Sequence, residues 1–362
     1  MSDPRQRKPS ASASLRYSLC EGSWIAEQAF GIRMPDTDAS ATGTRIHAWL
    51  ANQPIELTEA ELETATKCRE IEQRLMADVF PNVVPHVIRE DRMWIEGENG
   101  PMFSGQPDLI AWHGSDKESR RGLLIDYKTL WGDHDEADRN LQLRSLVALM
   151  QHNMAWESIT VAICQPNKWP AVTVAVYDAE AIRRAYRETI RMLDRISNPA
   201  AKRTPSPKAC QYCPAKMNCP EASGMLLEIH AAPNLAVTVN PEQIARILDV
   251  AKVAERIIDD ARTLAKAALA EDPESIPGWR LKTGATRTTI TDPSTVFGRF
   301  VQAGGSQETF MPAVSVTVGK MEKQVKAVTG KKGKELDATV QTLIAGVSET
   351  AQNAASLERV KE

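Results

Sequence analysis

Three residues of this 362-residue chain have the types and spacing to do chemistry together: Asp108, Asp126 and Lys128. They lie in Ser104-Gly105-Gln106-Pro107-Asp108 and, after a short gap, Asp126-Tyr127-Lys128, which read as G-x-x-D and D-x-K. Two carboxylates supply hard oxygen donors suited to Mg²⁺ or Mn²⁺. A cation held there can activate water and offset charge on a phosphate, and a neighbouring lysine can orient the water or stabilise the transition state. The implied reaction is phosphodiester hydrolysis. D-x-K alone is common on ordinary surface strands. Here, however, Leu123, Leu124 and Ile125 lead straight into Asp126, and a carboxylate at the end of a buried strand requires a partner or a metal.

Periodicity supplies the elements that must carry these residues. A short helix is expected within 15–31, a helix starting near Thr44, and a helix over 58–79 opened by the capping-box pair Thr58 and Glu61. Strands are expected over 86–96, 102–113 and 122–129, then a helix over 135–156, strands over 158–165 and 171–177, and a helix over 178–197. This places Gly105–Asp108 near the middle of one strand and Asp126–Lys128 at the end of its hairpin neighbour. Asp126 and Lys128 then share a face, and Asp108 meets Asp126 across the pair. The order predicts an α/β fold with an antiparallel meander followed by a crossover. A Pro-rich basic linker spans 198–208. Beyond it, helices are expected over 241–271, 293–303 and 317–347, with a strand or hairpin over 278–291.

The six cysteines are unevenly placed: Cys210, Cys213 and Cys219 form C-x2-C-x5-C, while Cys20 lies far upstream. In a large chain without a secretory signature such a group points to a soft metal centre before disulfides. Four thiolates suit a [4Fe–4S] cluster or zinc, and the loop alone does not separate them. Cys68 and Cys164, isolated on apolar faces, read as buried structural residues. The net charge of −3 means that any nucleic-acid affinity must come from a local basic patch. Lys331, Lys332 and Lys334 form one candidate, equally readable as a solvated face. Trp131, in the loop after D-x-K, either stacks on a DNA end or packs its own loop. No apolar run reaches the ~18 residues of a membrane span, and Met1–Ser10 lacks the apolar core of a signal peptide. The expectation is therefore a cytoplasmic protein with no membrane partner.

Taken together, these motifs resemble the PD-(D/E)xK nuclease superfamily, and within it the RecB-like exonuclease branch. Gly43-Thr44-Arg45-Ile46-His47 matches that branch's G-x-x-x-H on an early helix; Gly105–Asp108 matches G-x-x-D, and Asp126–Lys128 matches D-x-K. Gln142 stands where the branch has the glutamine of a Q-x-x-x-Y helix, but Leu146 occupies the tyrosine position. The resemblance implies metal ligation by His47, Asp108, Asp126 and the Tyr127 backbone carbonyl, with Lys128 catalytic and Gln142 an active-site contact. It implies a mixed central sheet of the restriction-endonuclease-like type flanked by helices.

The same resemblance extends to the cysteines. One cysteine before the core and three after it is the pattern of the RecB-like nucleases with an iron–sulfur cluster, including AddB and the CRISPR-associated nucleases. It implies a [4Fe–4S] cluster on Cys20, Cys210, Cys213 and Cys219, with zinc the lesser option, stapling the two ends of the nuclease domain. The expected organisation is a disordered tail over 1–14, a nuclease domain over 15–222 and a smaller, mainly helical accessory domain over 223–362. The build resembles phage and prophage proteins, in a bacterial or phage-infected cell, working on DNA beside a single-strand annealing protein and possible as a homo-oligomer. The rival expectation is a catalytically weak or inactive DNA-binding scaffold on the same fold.

Overall fold

The computed structural model describes residues 7–115, 120–130, 132, 134–231, 241–281, 293–302, 306–310 and 318–344. By packing they fall into two units, Met1–Lys282 and Thr283–Glu362. In the first, α1 (Ser14–Leu19) and α2 (Ser23–Phe30) precede α3 (Asp38–Leu50). α3 begins well before Thr44, correcting the expected start. Thr37 and Ser40 exchange side-chain and backbone hydrogen bonds in a reciprocal cap, which outweighs the turn-rich composition of 35–43. Thr58 and Glu61 open α4 (Glu59–Val79) with the same device, as expected.

Two of the expected strands are each broken in two. The stretch 86–96 divides into β1 (His86–Arg89) and β2 (Met93–Gly97), because Glu90 takes a φ of +50° and turns the chain. The stretch 102–113 divides into β3 (Gly100–Gly105) and β4 (Leu109–His113) around Pro107, which has no N–H for a ladder. Gly105–Asp108 is therefore the passage between two strands, not the middle of one. β5 (Arg121–Tyr127) follows, then the crossover helix α5 (Leu141–Asn153), β6 (Ser158–Cys164), β7 (Val172–Asp178) and α6 (Ala179–Ile196). α5 starts later than expected because Asn140 caps it, its Oδ1 accepting from the Leu143 N–H at 2.9 Å.

The main sheet has the order β1-β4-β5-β6-β7, and β2 and β3 form a separate pair. Only β5 and β6 run parallel, as the crossover requires. β5 is buried on both faces. Leu124 packs with Leu143, Leu146, Val147 and Leu149 of α5 and with Ile182 of α6. Leu123 and Ile125 pack with Ile46 and Leu50 of α3 and Ile71 and Leu75 of α4. Cys68 and Cys164 are fully buried in that second core, as expected. Residues 1–6 lie outside the described residues, but 7–14, expected to be disordered, are ordered. Pro9 accepts from the Ser104 N–H at 3.0 Å, and the small Ala11 is buried beside Gly105.

The chain then forms α7 (Pro207–Cys210), α8 (Pro220–Ala231) and α9 (Pro241–Glu271). The first unit continues past 222 because Val253 of α9 packs on Cys210, Cys219 and Ala222, and Asp260 pairs with Lys216 at 2.8 Å. The second unit contains α10 (Pro293–Gln302), α11 (Gln307–Phe310), α12 (Val318–Thr329) and α13 (Gly333–Ile344). The single helix expected over 317–347 is interrupted at Gly330 and Gly333, whose φ values of +68° and +55° favour glycine. Residues 278–281 of the expected 278–291 strand carry no regular strand, and the rest of that stretch falls outside the described residues. Among the described residues no helix is long and apolar enough to cross a membrane.

Gly105 has no room for a side chain: a Cβ there would stand 2.5 Å from a Leu149 methyl and 2.7 Å from a Leu146 methyl, both fully buried. Gly105→Ala is expected to destabilise the protein by about 1–3 kcal/mol, read as a lower denaturation midpoint with unchanged slope.

Candidate metal-dependent active site

β4 and β5 pair from Leu109↔Ile125 onward, so Asp108 and Asp126 lie at the same end of two adjacent central strands. Asp108 just precedes its strand and Asp126 is the penultimate residue of β5. The Tyr127 N–H donates to Asp108 Oδ2 at 2.6 Å, and His47 of α3 meets Asp108 Oδ1 through Nδ1 at 3.1 Å. Asp126 is buried, with Oδ1 accepting from Gln142 Nε2 at 2.8 Å. Lys128 donates to Gln142 Oε1 at 3.1 Å and lies 2.6 Å from Asp126 Oδ2. That oxygen nevertheless has no partner in hydrogen-bond geometry.

Electrostatics follow from this crowding. Burial pushes the Asp108 carboxyl above its usual range, the His47 hydrogen bond pulls it back, and the charge of Asp126 raises it further. Burial acts against the His47 proton, but hydrogen bonds and charges from Asp108 and Glu90 prevail and raise its pKa from 6.5 to about 10. The Lys128 ammonium is likewise opposed by burial and held charged by Asp126. The carboxylates of Asp108 and Asp126, with the His47 imidazole beside Asp108, form a donor set that fits a divalent cation. An imidazole beside them suits Mn²⁺ as well as Mg²⁺.

Glu90 is a site residue that the sequence reading missed: its carboxylate joins the His47 imidazole and the Asp108 carboxylate. One ligand atom from each of the three lies within 4.8 Å of the others, the one such group among the described residues. Glu90 Oε1 is 3.5 Å from His47 Nδ1, and Oε2 accepts from Gln106 Nε2 at 2.6 Å. Gln106 is in turn held by Arg92 at 2.9 Å. The charge run Arg89-Glu90-Asp91-Arg92 looks like a solvated strand face. The interrupted alternation at that point was the one available signal that the chain turns there. Leu146, the departure at the tyrosine position, is a core residue 1% exposed.

Other expected residues fall differently. Cys20, Cys210, Cys213 and Cys219 are all buried and unpaired by disulfides. The Thr204 N–H donates to Cys20 Sγ at 3.2 Å, which ties Cys20 to the segment leading into the other three. Burial raises the Cys210 thiol to about 11, and the charges of Cys213, Cys219 and Cys20 add to the shift. No three of the sulfurs lie within 4.8 Å of one another among the described residues. Trp131 lies outside the described residues. Lys331, Lys332 and Lys334 belong to the second unit, where Lys331 donates to Thr339 at 3.0 Å.

No curated protein matches the chain. A solved structure, described as the crystal structure of SSO0001, is 14% identical, with 60% of this chain and 89% of that one covered and a TM-score of 0.28. The family model of the PD-(D/E)XK nuclease superfamily matches residues 8–220, which contain β1–β7, His47, Glu90, Asp108, Asp126, Lys128, Cys20, Cys210, Cys213 and Cys219. With the mixed sheet and the carboxylates at the ends of β4 and β5 in place, the chain belongs to the PD-(D/E)XK nuclease superfamily.

Proposed function

We propose that this protein is a Mg²⁺- or Mn²⁺-dependent deoxyribonuclease, acting as an exonuclease. The observation that carries the reading is the convergence of Asp108, Asp126, Lys128 and His47 at one end of the central strands. His47, Asp108 and Asp126 would hold the cation together with the Tyr127 carbonyl, and Glu90 is positioned to join them. Such a cation, when bound, lowers the pKa of a water and offsets charge on the phosphate. Lys128 supplies positive charge where the phosphate oxygens develop negative charge, and Gln142 fixes both Lys128 and Asp126. The buried flank of β5 excludes bulk water and strengthens these interactions.

The exonuclease assignment rests on the resemblance to RecB-like enzymes, as do the DNA-recombination or phage setting, a single-strand annealing partner and homo-oligomerisation. A cytoplasmic location fits DNA as substrate. The nuclease domain proper is taken as 15–222, with 223–362 an accessory domain. Leu146, at the tyrosine position, packs into the core, and the rival reading of a catalytically weak or inactive DNA-binding scaffold is separated from the enzyme by the cleavage assay below.

For the cysteines we propose a [4Fe–4S] cluster on Cys20, Cys210, Cys213 and Cys219. The choice of iron–sulfur over zinc rests on the resemblance to the RecB-like nucleases with one cysteine before the core and three after it; the four thiols are buried, and Cys20 and Cys210 lie close enough to the others to feel their charge. Thr204 and Arg16 donate to Cys20 and Cys213 respectively, as outer partners that stabilise thiolates do.

Cleavage of linear end-labelled DNA should require Mg²⁺ or Mn²⁺ and stop in EDTA. Asp126→Ala and Lys128→Ala should each lower the rate at least about 100-fold while leaving the circular dichroism unchanged. Full metal-dependent cleavage by Lys128→Ala would refute the assignment. Because His47 has a raised pKa in the folded state, its contribution to stability is complete below pH 6.5 and disappears as pH rises through about 10. In EDTA the Tm should therefore fall across that interval, and His47→Gln should remove that fall. Anaerobically purified protein should contain ~4 iron and ~4 labile sulfide per chain, and stoichiometric zinc without iron would replace the cluster with a zinc site.

A further inference from the structure

Behind the site, on the side of the sheet covered by α3 and α4, a buried charged cluster meets the ligand positions through Tyr127. At its centre is Glu72 of α4, 4% exposed. Glu72 Oε2 accepts from the Tyr127 hydroxyl at 2.6 Å, from Arg69 at 2.9 Å and from Arg89 at 3.1 Å; Oε1 accepts from Arg89 at 2.5 Å and Arg69 at 3.1 Å. The two guanidiniums also donate to the Leu50 carbonyl, at 2.9 Å from Arg69 and 3.2 Å from Arg89. Burying a carboxylate is tolerable when its lone pairs are filled by fixed donors, and here the donors come from three elements.

Each partner adjoins a residue of the site. Leu50 ends the helix that carries His47, and Arg89 immediately precedes Glu90. Tyr127 lies between Asp126 and Lys128, its N–H holds Asp108, and its ring meets the His47 ring edge-on with centroids 6.2 Å apart. Pairing with β6 fixes Asp126 and Tyr127, but the sheet does not by itself fix the other site residues. Strand pairing ends at Arg89↔Leu109 and Leu109↔Ile125, so Glu90 and Asp108 lie just beyond the last paired residues. His47 sits on a helix outside the ladder altogether.

We propose that Glu72 is a positioning residue for the metal site: through Tyr127, Arg69 and Arg89 it locks the end of α3, the exit of β1 and the end of β5 into one arrangement, and so sets the mutual distances of His47, Glu90, Asp108 and Asp126. The inference rests on the metal-site reading above. Outer partners of this kind typically change metal affinity 10–100-fold when removed.

The test is Mn²⁺ titration of the full-length protein, by calorimetry and by loss of the free-ion electron paramagnetic resonance signal, below the melting temperature. It compares the parent with Tyr127→Phe, Glu72→Gln and, as a control, Glu180→Gln, an exposed carboxylate between two arginines on α6. Tyr127→Phe and Glu72→Gln should weaken Mn²⁺ binding by about 10–100-fold, and Glu180→Gln should leave it unchanged. A cluster that only stabilises the fold would lower Tm without altering the affinity of the folded protein. Mn²⁺ affinity of folded Tyr127→Phe within about twofold of the parent would overturn the proposal, and that variant decides if Glu72→Gln does not fold. Amide exchange of the metal-free protein gives an independent readout. The Tyr127 N–H should exchange faster in Tyr127→Phe if the cluster holds it against Asp108. If the parent binds no Mn²⁺, the metal-site reading fails, and unchanged Tyr127 protection then overturns the positioning role as well.

Discussion

Two carboxylates held close together at the ends of adjacent buried strands repel one another and lose hydration, and the surrounding structure answers that cost. Asp126 sits where β5 has already run through both hydrophobic cores, and Asp108 lies one residue before β4 begins. The cations beside them counter that charge, His47 against Asp108 and Lys128 against Asp126, and the Gln142 amide donates to Asp126. Without a cation, the raised pKa of His47 keeps an imidazolium between Asp108 and Glu90, so the protein supplies its own positive charge at the position. A metal bound through that ring would displace its proton, which would couple cation affinity to pH.

The fold separates stiffness from chemistry. The apolar faces of β5 clamp it between α5 and α6 on one side and α3 and α4 on the other. The functional groups emerge only where the strand ends and the ladder stops. Precision there falls to side-chain networks, with Gln142 aligning Lys128 and Asp126, and Arg92 acting through Gln106 on Glu90. The N-terminal and cysteine-bearing segments add a second closure. Cys20 is joined to Thr204, and Ser10 bridges to Ser104 beside the G-x-x-D passage. The first joins segments far apart in sequence, and the second ties the N-terminal segment to β3, which leads into Asp108.

Much of this was legible in the residues. Capping chemistry at Thr58, the apolar run into Asp126 and the crossover between β5 and β6 are local or periodic signals, and each corresponds to an element at or near its expected place. The shared face of Asp126 and Lys128 follows from strand alternation, and both reach Gln142. The errors lie where a single backbone torsion or cap overrides pattern. Glu90 turns the chain in a stretch that alternates like one strand, Pro107 splits another, and the Thr37 cap starts α3 inside a region composed like a turn.

Local chemistry thus determined which residues could bind a cation and which segments would be strand or helix. Only tertiary structure decided that Glu90 joins His47 and Asp108, that Leu146 belongs to the core, and that Glu72 lies beneath the site. The reason is physical: spacing along the chain encodes neighbours one turn or one strand apart. The meeting of α3, α4, β1 and β5 depends on how two hydrophobic cores close around one sheet, and no local pattern carries that information.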